Sequence, residues 1–154
     1  MLLEEKIKGE LKEAMKKKDS VLLTVLRGLL ADFTNELITQ KKKPQDEVSD
    51  ELAITVIKKA VKQRKDSIEQ FTKGRRDDLV AIEKIELEIL EKYLPEMMSN
   101  NEIKKIAETK KDKLDITDKS KIGILIGAVL KEIKTIGGNA DGGEVKKIVE
   151  KLFD

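Results

Sequence analysis

The sequence contains no cysteine and no histidine. The absence of cysteine excludes disulfides, thiolate nucleophiles and thiolate metal sites. The absence of histidine removes the commonest general base and metal ligand near neutral pH. No zinc-type spacing, phosphate-binding glycine loop or serine with a suitable base replaces them. The sequence therefore predicts no catalytic residues, no metal and no cofactor.

Aromatic residues and long apolar runs are also scarce. Aromatics make up 3% of the chain, so the core is expected to be Leu, Ile and Val. The longest apolar candidate, residues 122–130, is closed by Lys131 and is far shorter than the roughly 20 residues of a membrane span. Met1 to Leu3 run directly into charged residues without a signal-peptide pattern. Together with the lack of cysteine, these features predict a soluble, cytoplasmic protein with no membrane partner.

Charge, by contrast, is abundant and nearly balanced. Charged residues make up 40% of the chain, and 32 basic residues face 30 acidic ones for a net charge of +2. Such a chain exerts little overall attraction on nucleic acid. Any contact with RNA is therefore expected to come from a local patch.

Apolar residues recur at three- and four-residue spacing in seven segments, which predicts an all-α protein. Ser49, Ser99 with Glu102, and Asp141 with Glu144 are the predicted caps of three of these helices. The predicted helices begin and end at about residues 2–18, 20–40, 49–72, 77–93, 99–114, 118–134 and 141–152. We expect an N-terminal four-helix bundle over residues 1–95 and a three-helix tail domain over residues 96–154.

Residues 62–95 form the most informative stretch, predicted as two helices joined by a basic turn at Gly74. Two charges interrupt its apolar faces, Arg64 on the first helix and Glu86 on the second, whose face includes Ile82. An unpaired charge on such a seam is expensive, so the two are predicted to form an ion pair. A structural role that fixes the register of the hairpin is favoured over a catalytic one.

Cations cluster in two places that are candidates for RNA binding, because cations beside a phosphate backbone release counterions. In a chain this rich in lysine, a solvated helix face is the alternative. Few aromatics accompany the cations, which argues against stacking on single-stranded bases. The first set of candidates is Lys58, Lys62, Lys65, Arg75 and Arg76. The second set is Lys119, Lys121, Lys131, Lys134, Lys146 and Lys147, with Gly137 and Gly138 in the loop between them.

The glycines of the C-terminal segment lead to two further predictions. Glycines beside a helix N-terminus can bring backbone N–H groups to a phosphate, although the Asp141 cap would occupy those donors. Gly123 and Gly127, one turn apart, lower helix propensity and predict close packing among the last three helices.

The chain resembles the YqeY family, small proteins related to the C-terminal tail domain of the B subunit of the glutamine-dependent tRNA amidotransferase. The resemblance covers the whole chain in length and order. One departure is Ile124, where the family tends to have lysine. The matching residues are Lys62-Gln63-Arg64, Ser67, Phe71, Gly74-Arg75, Asp78-Leu79, Glu86, Tyr93-Leu94-Pro95, Ala140-Asp141-Gly142 and Val145.

The resemblance implies a link to carbon–nitrogen ligation with glutamine as amido-N-donor, the activity class attached to the family. The amidase and ATP-using domains of that enzyme have no counterpart here, so ligase activity in isolation is the least favoured hypothesis. The matching tail domain contacts transfer RNA. We therefore expect a non-catalytic accessory that binds tRNA or another structured RNA. The alternative is an adaptor that docks an amidotransferase subunit or an aminoacyl-tRNA synthetase without touching RNA.

Overall fold

The computed structural model describes residues 1–154 and is entirely helical, with no strand. One short 3₁₀ helix, Lys119–Lys121, precedes α6. The seven α-helices are α1 Leu3–Lys17, α2 Ser20–Thr39, α3 Asp50–Lys73, α4 Asp77–Glu91, α5 Asn100–Lys113, α6 Ile122–Thr135 and α7 Gly142–Lys151. No helix is both long and apolar enough to cross a membrane.

Side-chain caps explain where several helices begin. Ser49 accepts a hydrogen bond from the backbone N–H of Leu52 at 3.2 Å, which satisfies a donor that the first turn of α3 leaves free. Ser99 and Glu102 cap each other's backbone N–H groups at the start of α5. These caps stand where the sequence predicted them.

The capping box predicted for α7 is only half formed. Asp141 accepts hydrogen bonds from the N–H groups of Gly143 and Glu144, at 2.7 and 3.4 Å. The Glu144 carboxylate does not return the bond and instead lies 3.5 Å from the Lys147 ammonium, one turn further on. An ion pair along the helix has thus replaced the reciprocal bond expected from the sequence.

The chain divides into two compact units, each with a core of its own. The first, Met1–Leu94, contains α1 to α4, and the second, Pro95–Asp154, contains α5 to α7. Both cores are aliphatic apart from Phe33, as the scarcity of aromatics predicted. The first core consists of Ile7, Val25, Leu26, Leu29, Phe33, Leu37, Val48, Leu52, Ala53, Val56, Ile57, Ala60, Val61 and Leu90. The second consists of Ile103, Ala107, Ile116, Leu125, Val129, Ile133, Val145 and Val149.

The α3–α4 hairpin extends past the first core. The last buried residue of α3 is Val61, and the only buried residue of α4 is Leu90. We call residues 65–87, which lie between these two positions, the hairpin tip. Ile82, predicted on the apolar face of α4, is 51% exposed because it lies in this tip, beyond the core.

Gly123 and Gly127 lie on the exposed side of α6, which corrects the close packing predicted for them. A Cβ added at either position would meet nothing within 4 Å. The buried side of α6 is formed by Leu125, Val129 and Ile133 instead. The two glycines are therefore open to solvent within their unit.

Candidate functional site

Arg64 lies between two carboxylates of α4. Its Nε is 3.0 Å from Glu86 Oε2 and 3.6 Å from Glu83 Oε2. The sequence predicted the first partner from the interrupted apolar faces. It did not predict Glu83, which lies one turn before Glu86, although Glu83 also stands four residues from an apolar residue on each side, Leu79 and Leu87.

The Arg64 cluster is partly buried and carries one excess negative charge. The exposed fractions of the Arg64, Glu83 and Glu86 side chains are 31%, 19% and 15%. Arg64 Nε and Glu83 Oε2 are themselves buried and make no hydrogen bond, so the attraction between them is ionic. One guanidinium between two carboxylates suits an ion-pair cluster that fixes the register of α3 against α4. No nucleophile lies in this cluster.

A second polar contact links α1 to the end of α4. The Tyr93 hydroxyl donates a hydrogen bond to the Glu10 carboxylate, and the Lys6 ammonium lies 5.9 Å from the centre of the Tyr93 ring. Partial burial, followed by the hydrogen bond and the negative charge of Glu10, raises the pKa of Tyr93. Tyr93 and Glu10 are 83 residues apart in sequence, so no local sequence pattern predicts this hydrogen bond.

The first set of candidate cations does not form one continuous exposed line. Lys62 and Lys65 are exposed, but Lys58 is half-buried. Arg76 is 3.3 Å from the Asp78 carboxylate, which raises the pKa of Arg76 and lowers that of Asp78. Arg75 is exposed with a positive φ of 55° in the turn. Two of the five cations are thus engaged or partly covered.

The second set of lysines surrounds α6 and α7. All six, Lys119, Lys121, Lys131, Lys134, Lys146 and Lys147, are exposed. Lys119, Lys131 and Lys146 have no ion-pair partner within the chain, whereas Lys147 pairs with Glu144. Lysines of α5 behave differently: Lys110 lies 3.3 Å from Glu132, and Lys111 donates to the Leu152 carbonyl. Lys110 and Lys111 thus contact other parts of the second unit, whereas the lysines of α6 and α7 are exposed.

The loop that contains Gly137 and Gly138 closes against the start of the second unit. Asn139, 7% exposed, donates its side-chain N–H to the Pro95 carbonyl, and its own carbonyl accepts from Met98. A Cβ at Gly138 would lie 2.5 Å from Met98 Sδ, and Gly137 has a φ of +71°. Packing and backbone conformation therefore account for both glycines, and their contact with RNA stays a prediction.

The structure offers no group of three or more acidic side chains that could hold a metal ion. The N-terminal donors of α7 are taken by Asp141, so a phosphate at this helix end would compete with a bound carboxylate.

Fungal proteins are similar to part of the chain. "Altered inheritance of mitochondria protein 41, mitochondrial" from Saccharomyces cerevisiae is 39% identical over 97 residues, 63% of this chain and 51% of that protein. The proteins of the same name from Kluyveromyces lactis and Lachancea thermotolerans are 42% identical over 87 residues and 41% identical over 91. These matches cover 56% and 59% of this chain, and 45% and 47% of those proteins. The chain thus spans about half the length of the curated relatives it matches.

These names contradict the cytoplasmic location predicted from the sequence, because the relatives are named as mitochondrial proteins. The prediction was wrong in its reasoning as well. A lack of cysteine shows only that folding needs no disulfide, and it does not identify a compartment.

The resemblance seen in the motifs extends along nearly the whole chain. Residues 4–153 match the family described as Yqey-like protein. The motifs Lys62-Gln63-Arg64 and Ala140-Asp141-Gly142 both lie inside this match. The chain therefore belongs to the YqeY family.

Proposed function

We propose that the protein is a non-catalytic accessory that binds tRNA or another structured RNA through the second unit. In this proposal the first unit is a four-helix bundle, and the second is the counterpart of the amidotransferase tail domain. The observation that carries the proposal is the exposed lysine surface formed by α6, α7 and the 3₁₀ helix before α6. Its members are Lys119, Lys121, Lys131, Lys134, Lys146 and Lys147.

The exposed side of α6 has a shape that supports this role. Gly123, Gly127 and Lys131 follow one another at four-residue steps, so they lie on one face. The two glycines leave the helix backbone uncovered, and a phosphodiester backbone can approach it closely before meeting the lysine. Each glycine in a helix interior costs about 1 kcal/mol relative to alanine, and no contact within the chain offsets that.

Recognition in this proposal is by charge and shape. The second unit contains Phe153 as its one aromatic residue, and Lys111 lies 4.8 Å from the centre of that ring. Stacking platforms for unpaired bases are therefore lacking, and lysine acts on phosphate as a point charge. Such binding is strongly salt-dependent and only weakly dependent on base sequence.

The test is binding of purified protein to total tRNA at two salt concentrations, measured by fluorescence anisotropy. A variant with Lys131, Lys134, Lys146 and Lys147 changed to alanine is compared with the unchanged protein. We expect affinity to fall on the order of tenfold to a hundredfold in the variant, with a salt slope lower by about one for each lysine that contacts a phosphate. Ile124→Lys, which adds a cation to the same face, is expected to tighten binding.

A variant with the same change in net charge is the control. Lys12, Lys17, Lys42 and Lys43 are exposed lysines of the first unit, and changing them to alanine should leave tRNA binding nearly unchanged. Equal losses in both variants would show attraction by overall charge, without a site. No binding at low salt would reject the RNA-binding function.

The adaptor hypothesis has an observation of its own, the apolar residues of the hairpin tip. Ile82 and Ile85 are 51% and 49% exposed, and Phe71 is only half-buried. Exposed apolar side chains grouped on one element are typical of protein contacts. In this second proposal the tip docks an amidotransferase subunit or an aminoacyl-tRNA synthetase. A salt-tolerant protein complex that is lost in Ile82→Asp would favour it over RNA binding.

A further inference from the structure

A groove runs between α2 and α3 in the first unit, and none of its lining residues is among the residues proposed above to bind RNA. It consists of two adjoining cavities of about 230 and 260 Å³ that share Asp32, Ala60 and Gln63. Each is smaller than the roughly 300 Å³ at which small-molecule sites usually begin. Either cavity alone suits a single extended side chain better than a cofactor.

The helices make the groove by placing small residues opposite each other. Gly28 and Asp32 are four residues apart on α2, and Ala60 and Arg64 are four apart on α3, so each pair lies on one face. A Cβ added at Gly28 would meet nothing within 4 Å. The glycine weakens α2 without relieving any clash, and its effect is to keep one wall of the groove open.

The floor of the groove is apolar and its rim is polar. Val25, Leu29, Val56, Ala60 and Leu90 form the floor. The side chains of Asp32, Asn35 and Gln63 on the rim have no hydrogen-bond or ion-pair partner within the chain. An aliphatic stem that ends in hydrogen-bond donors matches this lining.

The charges that line the groove favour a positively charged ligand. Asp32 and Glu36 line the groove with carboxylates. The Glu36 carboxylate accepts one long hydrogen bond, 3.4 Å from Gln40 Nε2. Lys59 is one opposing cation on the rim. Arg64, the other cation, is already balanced by the two carboxylates of its ion pairs. When Glu83 and Glu86 beside Arg64 are counted, four carboxylates stand against two cations in and next to the groove, a local net charge of −2.

We infer that this α2–α3 groove is a docking site for an arginine side chain of a partner protein. The stem of the arginine lies on the apolar floor, and its guanidinium donates to the Asp32 and Glu36 carboxylates and to the side-chain carbonyls of Asn35 or Gln63. A planar donor with five N–H groups matches that set of acceptors better than a compact ammonium does. The site is in the first unit, so a test of arginine binding is independent of a test of RNA binding by the second unit.

The test is a titration of isotope-labelled full-length protein with N-acetyl-arginine amide, followed by NMR. We expect chemical-shift changes confined to the groove, including the Gly28 amide and the side-chain amides of Asn35 and Gln63. N-acetyl-citrulline amide, which has the same shape without the charge, should bind at least about tenfold more weakly, because charged hydrogen bonds are the stronger ones. The double variant Asp32→Asn, Glu36→Gln should lose affinity for the arginine probe to a similar extent.

A steric variant separates binding from folding. Gly28→Leu fills the groove while replacing glycine with a good helix former, so we expect it to abolish the shifts and to preserve or raise the unfolding temperature. Gly9→Leu is the matched control, since Gly9 also lies in a helix with nothing within 4 Å of its added Cβ. That variant should bind the arginine probe normally.

Three outcomes would overturn the inference. Equal binding of the arginine and citrulline probes would remove the role of charge. Shifts that survive Gly28→Leu would place binding elsewhere. Spermidine that occupies the groove at far lower concentration than the arginine probe would assign it to a free polyamine and not to a partner protein.

Discussion

Arg64 forms the ion pair with Glu86 that the sequence predicted. An arginine within an apolar face predicted a carboxylate partner, and the guanidinium lies 3.0 Å from Glu86. The spacing did not reveal that a second carboxylate, Glu83, approaches to 3.6 Å. A charged residue within an apolar helix face predicts that the charge has a partner. The sequence pattern does not predict how many partners it has.

The unequal charges of this cluster lead to an unequal response to substitution. Arg64→Leu leaves two carboxylates facing each other on a half-buried seam and should lower the free energy of unfolding by about 2–3 kcal/mol, less than for a fully buried pair. Glu83→Gln removes the excess negative charge and should change it by less than about 1 kcal/mol. Urea denaturation followed by circular dichroism measures both. Equal losses would contradict the charge imbalance described here.

Tyr93 gives the protein a dependence on alkaline pH. Its pKa is raised above the ordinary 10.0, mainly by burial and then by Glu10, so the folded state holds this proton more tightly than the unfolded state. The resulting stability is fully present below pH 10 and is lost as pH rises above that value. Because Tyr93 is the only tyrosine, its ionisation can be followed directly by ultraviolet absorbance. In Tyr93→Phe the fall in stability above pH 10 should be smaller than in the unchanged protein.

The presence of the seven helices could be predicted from the spacing of apolar residues, because the period of 3.6 residues is a local property of the sequence. The role of the glycines did not follow, since spacing alone does not tell which side of α6 faces the core. Gly123 and Gly127 were predicted to pack closely and face solvent instead. Gly138, by contrast, leaves no room for a Cβ beside Met98, a residue far from it in sequence.

The glycines are therefore expected to respond in opposite directions to alanine. Gly123→Ala and Gly127→Ala should each raise the free energy of unfolding by about 0.8–1 kcal/mol, because nothing opposes the better helix former. Gly138→Ala should lower it by about 1–2 kcal/mol, since the added methyl group lies 3.3 Å from the Ile133 carbonyl and closer still to Met98. Thermal unfolding of the three variants checks the order.

At the scale of the whole molecule, composition indicated an all-helical, aliphatic protein and the motifs indicated its family. Composition misled on location, because a compartment is not encoded in the packing of a core. The α2–α3 groove was not predictable either. It depends on Gly28 and Ala60 facing each other across two helices, and neither residue carries a signal when read along the chain.

Net charge provides a test of whether RNA binding is local. The calculated isoelectric point is about 8.6, so the whole protein is close to neutral at that pH. Lysine ammonium groups generally keep their charge there. Binding of tRNA at pH 8.6 and at pH 7, at the same salt concentration, should therefore differ by less than about threefold. A collapse of binding at the isoelectric point would indicate attraction by overall charge.

The length of α3 beyond the first core has a consequence for motion. At about 1.5 Å per residue, its 24 residues span about 36 Å. The fully buried residues of its first half end at Val61, whereas its second half contains no fully buried residue. Amide hydrogens near Ala53 should exchange with solvent only when the whole unit unfolds, and those near Phe71 through local opening. One unbroken helix therefore joins a slowly exchanging base to a compliant end that can adjust its position without disturbing the core.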